Sequence, residues 1–309
     1  MTKNKIAKST MTLDEFLALT DDTIGFVSNA TDFAIEEGVL YRYWGSDPAI
    51  IIPQGVHRIQ ADAFQGNKEI QNVILPPSVK VIGAHAFANC NNLLSILLPN
   101  GLERIEDDAF YLCNQLKSIV IPQTVKRIGN GAFWRCSRLE SVSLGEGLAE
   151  IGCKAFRRCD ELKEILLPSS LQKLGEKAFY GCKSLEKITL NCMLSNLEDG
   201  MFEKCAVTHI SLPRTITKIG RRAFYDCRAL EKVIFPSELL EIDDDAFRQC
   251  VVLDAVHYPS KIQRIGYWAF GSCWSLEHIT FSNSGVRIMY NSFYGCKRLD
   301  KKLLPSESE

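Results

Sequence analysis

Phe110-Tyr111-Leu112-Cys113-Asn114-Gln115-Leu116-Lys117-Ser118-Ile119-Val120-Ile121-Pro122-Gln123-Thr124-Val125-Lys126-Arg127-Ile128-Gly129-Asn130-Gly131-Ala132 is one turn of a pattern that Phe133 begins again. Working outward from it, phenylalanine recurs at Phe64, Phe87, Phe110, Phe133, Phe156, Phe179, Phe202, Phe224, Phe247, Phe270 and Phe293, every 23 residues with one step of 22. Alanine precedes all of them except Phe202, which follows Met201, and Phe293, which follows Ser292. Ten of the 12 cysteines, from Cys90 to Cys296, stand three residues after a phenylalanine. Asn67 takes that place in the first unit, and a partial copy opens the series at Ile50-Ile51-Ile52-Pro53. A period of this length marks stacked repeats.

Spacing predicts the geometry of a unit. Ile119-Val120-Ile121 before Pro122 alternates with period two and reads as a short strand, its flanking side chains inward and its middle one outward. The three- and four-residue spacing of Ala-Phe-x-x-Cys-x-x-Leu predicts one tight helical turn that carries Phe, Cys and Leu inward. Gly129 after Ile128 predicts a tight corner. One unit cannot bury its apolar face alone, so successive units stack and pair their strands in parallel, about 4.8 Å apart. Eleven steps of that size give a right-handed solenoid about 50 Å long. Thr12 and Glu15 form a capping box ahead of Leu13, Phe16, Leu17 and Leu19, which predicts a short amphipathic N-terminal helix. At the far end Lys302 replaces the Ile279 of the previous coil and blunts the last edge.

The pattern Leu-x-x-Ile-x-Leu-Pro-x-x-Leu-x-x-Ile-Gly-x-x-Ala-Phe-x-x-Cys resembles the 23-residue BspA-type leucine-rich repeat, over roughly residues 46–305. The segment from Phe33 to Gly45 is similar to the hairpin that often precedes such repeats. The resemblance implies a repeat solenoid with a parallel sheet of short strands, organised as an N-terminal helix and hairpin cap over 1–45, about 11 repeats over 46–305 and a tail at 306–309. It also implies a modular protein, since many members are bacterial or protist surface proteins that bind host proteins or other cells.

Composition narrows the function. Thirty-six basic and 37 acidic residues leave a net charge of −1, so no global field recruits nucleic acid or anionic membrane. No run of 18 apolar residues suggests a membrane span, and the first twenty residues lack the apolar stretch of a secretory signal. A cytoplasmic protein is expected on this reading, with cell-surface or secreted placement as the alternative. Gly-x-Ser-x-Gly, His-Glu-x-x-His, Walker and Gly-x-Gly-x-x-Gly motifs are missing, so no enzyme, catalytic residue or cofactor is expected. The ladder cysteines read as reduced, buried structural thiols, with Cys153 and Cys192 off the ladder as the more reactive candidates.

Binding surfaces remain. The outward strand residues run Ile51, Ile74, Leu97, Val120, Ser143, Leu166, Thr189, Ser211, Ile234, His257 and Thr280. The apolar first third, Ile74, Leu97 and Val120 with Ser95 and Ser118 beside them, is the expected partner-binding face, unless the N-terminal helix or a second copy covers it. His257 and His278 are too few to hold a metal and read as solvated. A stripe one residue before the later isoleucine holds seven basic residues among eleven, including Arg58, Arg104, Arg127 and Arg264, expected to pair with acids such as Asp107, Asp108, Asp243 and Asp244. Tyr111, Trp134, Tyr180 and Tyr225, with Tyr294, Trp268 and Trp274, form an aromatic stripe that reads equally as interface anchors or as packing between coils. The expected function is a non-enzymatic scaffold binding a protein partner through its strand face. A surface adhesin or a glycan-binding repeat protein is the alternative.

Overall fold

A computed structural model of the chain describes residues 30–283, 285–300, 302 and 304. The helix expected over residues 12–20 and the tail at 306–309 lie outside them. Twenty-four strands follow a single turn of 3-10 helix at Ala30–Asp32. The first two strands are the expected hairpin: Phe33–Glu36 and Val39–Tyr43 pair antiparallel. Glu37 and Gly38 link them, both with positive φ (48° and 73°), the backbone a two-residue turn needs to follow the strand twist. The other 22 strands come in pairs, two to each of eleven coils.

The first strand of each coil is the expected one, as in Ser118–Ile121, where Ile119 and Ile121 are buried and Val120 points out. Register is that of the repeat: Val142 pairs with Ile119 and Leu144 with Ile121. Across the shortened unit the offset falls to 22, with His209 against Lys187. The second strand has two residues, as in Arg127–Ile128, and builds a second parallel ladder on another side of the coil. Spacing alone marked that site as a charged stripe and a corner, not as a sheet.

Two local expectations are corrected. Among the described residues no α-helix forms, and Ala-Phe-x-x-Cys is a run of tight turns. Asp108, Phe110 and Leu112 donate their N–H groups to the next coil, at Asn130 O, Ala132 O and Trp134 O (2.8, 2.7 and 2.9 Å). Tyr111 and Cys113 between them donate within the coil, to Asp108 O and Phe110 O. A helix would need every N–H for its own i−4 carbonyl. The alternating use forces left-handed backbone two residues before and two after each phenylalanine, as at Asp108 (φ 53°) and Leu112 (φ 61°). Nor does Gly129 supply a left-handed corner. A Cβ there would sit 2.5 Å from the Asp107 nitrogen, so glycine allows close approach between coils.

The core is a set of ladders. Phenylalanine rings from Phe64 to Phe293 stack coil on coil with centroids 4.7–5.7 Å apart. At the N-terminal end Tyr43 packs on Phe64 at 5.4 Å and Phe33 on Tyr43 at 4.8 Å, both with rings tilted by 36°, while Leu40 pairs with Ile59. The hairpin therefore continues both the ring column and the second-strand ladder over the first coil. Each ladder thiol from Cys90 to Cys296 donates to the carbonyl of the phenylalanine one coil earlier, at 3.0–3.3 Å. A small, weakly polar donor suits a site that is apolar apart from one carbonyl. Asn67 in the first unit reaches Gly45 O through Nδ2 (3.3 Å), while its Oδ1 accepts from the N–H groups of Glu69 and Ile70. Ser292, standing for alanine before Phe293, is fully buried with its hydroxyl on Gly266 O at 2.8 Å.

Candidate functional site

The pleat turns Val120 and Ser143 outward on the two-stranded sheet of Ser118–Ile121 and Ser141–Leu144, and Leu166, Thr189, Ser211 and Ile234 outward on the six-stranded sheet that follows, one coil apart. Leu166 pairs with Thr189, Ser211 with Ile234 and Val120 with Ser143. Val120, Leu166 and Ile234 are 49%, 52% and 51% exposed. Earlier along the sheet the expected open stripe is corrected: Ile74 is only 6% exposed, and Ile51 and Leu97 are half-buried. Ile51 and Leu97 flank Ile74 in register on both sides. The Ser95 hydroxyl is already engaged with Asn72 Oδ1 at 2.7 Å, whereas Ser118 is half-buried on the next strand. His257 contacts Thr280 Oγ1 through Nδ1 at 2.9 Å, and no cluster suited to a metal occurs among the described residues.

The aromatic residues belong to a different side of the coil, directly after the phenylalanine ladder. Tyr111 and Trp134 lie 5.1 Å apart, and the Arg157 guanidinium inserts between Trp134 (5.1 Å) and Tyr180 (4.6 Å). Lys204 covers Tyr180, Arg222 covers Tyr225, and Arg248 covers Trp268, which in turn meets Tyr294 at 4.9 Å. Tyr111, Trp134, Tyr180 and Tyr225 are all half-buried, so much of their surface is spent between coils. A cation on an aromatic face is worth roughly 0.5–2 kcal/mol. Glu203 takes the level between Tyr180 and Tyr225, with 5% exposure. Burial raises its carboxyl above the usual range, against the pull of Arg222, Lys204, Lys177 and Arg157.

On the second-strand side the charged stripe is largely neutralised, as expected. Arg264 meets Glu241 at 2.9 Å and Asp243 and Asp244 at 3.1 Å, and Lys218 meets Glu241 and Asp243 at 3.2 Å. Burial would raise the Asp243 carboxyl, but the Asp244 N–H, Lys218 and Arg264 together hold it below its usual value. Arg127 lies 3.5 Å from both Asp107 and Glu150, while Arg58 reaches across two coils to Glu106 at 3.1 Å. Asp108 faces His85 instead, at 3.6 Å.

Of the two off-ladder cysteines only Cys153 is exposed; Cys192 is buried, which raises its thiol pKa. Burial also pushes the ladder thiols Cys90 and Cys227 up to about 12. Such thiols are poor nucleophiles.

One feature escaped the sequence reading. A cleft of about 430 Å³ opens after the phenylalanine turns of Phe110, Phe133, Phe156 and Phe179, lined by Leu112, Asn114, Gln115, Arg135, Ser137, Arg138, Arg158, Asp160 and Lys183. Its residues come from four successive coils. The signal in the sequence is the pair Arg135 and Arg158, two residues after consecutive phenylalanines, where other coils carry Asn89, Leu112 or Gly181.

Comparison with known proteins agrees with this architecture. The family model for the BspA type leucine-rich repeat region matches six copies, over residues 41–159, 103–231 and 217–309. A leucine-rich repeat protein from Bacteroides ovatus is similar in structure, with a TM-score of 0.58 and 29% identity, covering 81% of this chain and 76% of that one. The pneumococcal vaccine antigen PcpA shares the fold at 16% identity, with a TM-score of 0.55 and 90% and 89% of the two chains covered. No curated protein sequence matches the chain. No helix among the described residues is long and apolar enough to cross a membrane.

Proposed function

The chain belongs to the BspA-type leucine-rich repeat family, and from that premise we propose that it is a non-catalytic scaffold that recognises a protein partner through its first-strand face. One observation carries the reading. On that face Val120, Leu166 and Ile234, each about half exposed, are interspersed with the small hydroxyl side chains Ser143, Thr189 and Ser211. Successive members are spaced at about 4.8 Å. Apolar anchors with hydrogen-bonding neighbours match the composition of a recognition patch, and the exposed charges of Glu164, Lys187 and Lys232 beside them provide a polar rim. The centre of the site thus moves along the solenoid from Ile74 towards Val120 and Leu166, with Ser95, Leu97 and Ser118 at its margin. A rigid extended surface spreads many modest contacts, which suits a macromolecule better than a small ligand.

The test is capture of the partner from its native host by the full chain and by a Val120→Glu/Leu166→Glu variant, read by mass spectrometry. The variant is expected to lose the partner while its unfolding free energy stays within about 0.5 kcal/mol of the parent's. Retention of the same partner by the variant refutes the assignment.

A further inference from the structure

The cleft after the phenylalanine turns holds four cationic side chains, Arg135, Arg138, Arg158 and Lys183, against one carboxylate, Asp160. Lys183 is paired with Asp160 at 3.0 Å, and Arg138 donates from Nη1 to the neutral Gln115 Oε1 at 2.6 Å. Arg135, Arg138 and Arg158 have no carboxylate partner among the described residues. This sets the cleft apart from the second-strand side, where most of the basic residues are neutralised. Arg135 and Arg158 are equivalent positions on successive coils: Arg135 N donates to Arg157 O at 2.8 Å and Arg158 N to Tyr180 O at 2.9 Å, so their backbones run side by side. Two exposed cations on neighbouring coils, with backbones about 4.8 Å apart and no carboxylate partner among the described residues, favour an anion near both.

We propose that this cleft binds a sulfate-bearing saccharide chain. The guanidinium groups of Arg135 and Arg158, with the donors that Arg138 keeps beside its bond to Gln115, are planar forks suited to tetrahedral oxyanions. Their repetition along the solenoid suits a ligand that carries several such groups rather than one. Ser137 and the amides of Asn114 and Gln115 line the same cleft and add groups that pair with sugar hydroxyls. The site lies away from the strand face and does not depend on it.

Isothermal titration of the full chain with a fully sulfated heparin-derived tetrasaccharide tests the proposal, beside a desulfated tetrasaccharide and a phosphoserine peptide. The sulfated chain is expected to bind saturably, more weakly as salt rises, and the desulfated chain not at all. Arg135→Asn/Arg158→Asn should weaken binding at least about tenfold, because two charge-assisted contacts are lost. Asparagine is tolerated in this left-handed position, which Asn89 occupies two coils before Arg135. An Arg104→Asn/Arg287→Asn control, at exposed arginines on the second-strand side, should bind as the parent does. Unaltered affinity of the Arg135/Arg158 variant, equal binding of the desulfated chain, or tighter binding of the phosphopeptide through the same arginines would each overturn it. The Val120→Glu/Leu166→Glu variant should bind the tetrasaccharide normally, so failure here is distinguishable from failure of the strand-face reading.

Discussion

Replacing Phe179 by alanine strikes the middle of the ring column. Its side chain is fully buried and stacks on Phe156 at 5.4 Å and on Phe202 at 5.7 Å. Truncating a buried phenylalanine costs about 3–5 kcal/mol in transfer and cavity terms. Both ring contacts disappear as well, and aromatic pairs add roughly 0.5–1.5 kcal/mol beyond their buried area. The expected loss is therefore in the upper half of that range, about 4–5 kcal/mol. Each coil touches only its neighbours, so the damage weakens two interfaces at once and partly uncouples the coils on either side. In urea unfolding followed by circular dichroism, the midpoint should fall and the transition broaden. Lys232→Ala, at an exposed first-strand position, should cost less than about 0.5 kcal/mol in the same assay. Equal shifts for the two variants, or a sharp parent-like transition in Phe179→Ala, would refute the stacked-core reasoning.

Two further outcomes concern the thiols. In native protein a colorimetric thiol reagent should react quickly with Cys153 alone, and with the other 11 cysteines only after denaturation, because those are buried; several fast thiols in the native state would contradict that burial. Stability should also fall in alkali: Cys90 and Cys227 are raised from 9.0 to about 12, so their contribution is complete below about pH 9. Above it the unfolded chain releases protons that the folded chain keeps, which costs about 1.4 kcal/mol per pH unit for each such thiol until the folded value is reached. A urea midpoint that stays level between about pH 8 and 10.5 would exclude this linkage.

The candidate sites were less legible than the fold. The outward parity of Val120 and Leu166 follows from strand alternation and could be read directly, but the burial of Ile74 could not, because the same parity leaves Val120 half exposed and Ile74 covered. The aromatic stripe was visible as composition, yet only the insertion of Arg157 between Trp134 and Tyr180 tells how much of each ring is covered. Arg135 and Arg158 stand out in sequence only as neighbours of the aromatic stripe, and nothing groups them with Arg138. Their shared cleft exists only once the coils are stacked.

By itself the sequence determined the 23-residue period and, through it, which side chains stack: Phe110 on Phe133, Cys113 beside Cys136, Ile119 beside Val142. The reason is that identical units in register place equivalent positions over one another, whatever the local backbone does. The conformation inside each unit was decided by tertiary structure. Ala109-Phe110-Tyr111-Leu112-Cys113 has the spacing of a helical turn, but the N–H groups of Asp108, Phe110 and Leu112 find their acceptors on the following coil, 22 residues ahead. Local spacing carries no information about a partner that distant. The same holds for the second-strand ladder, for the thiol of Cys113 on the carbonyl of Phe87, and for the cations left without a counter-charge beside Asp160: each depends on what the adjacent coil presents.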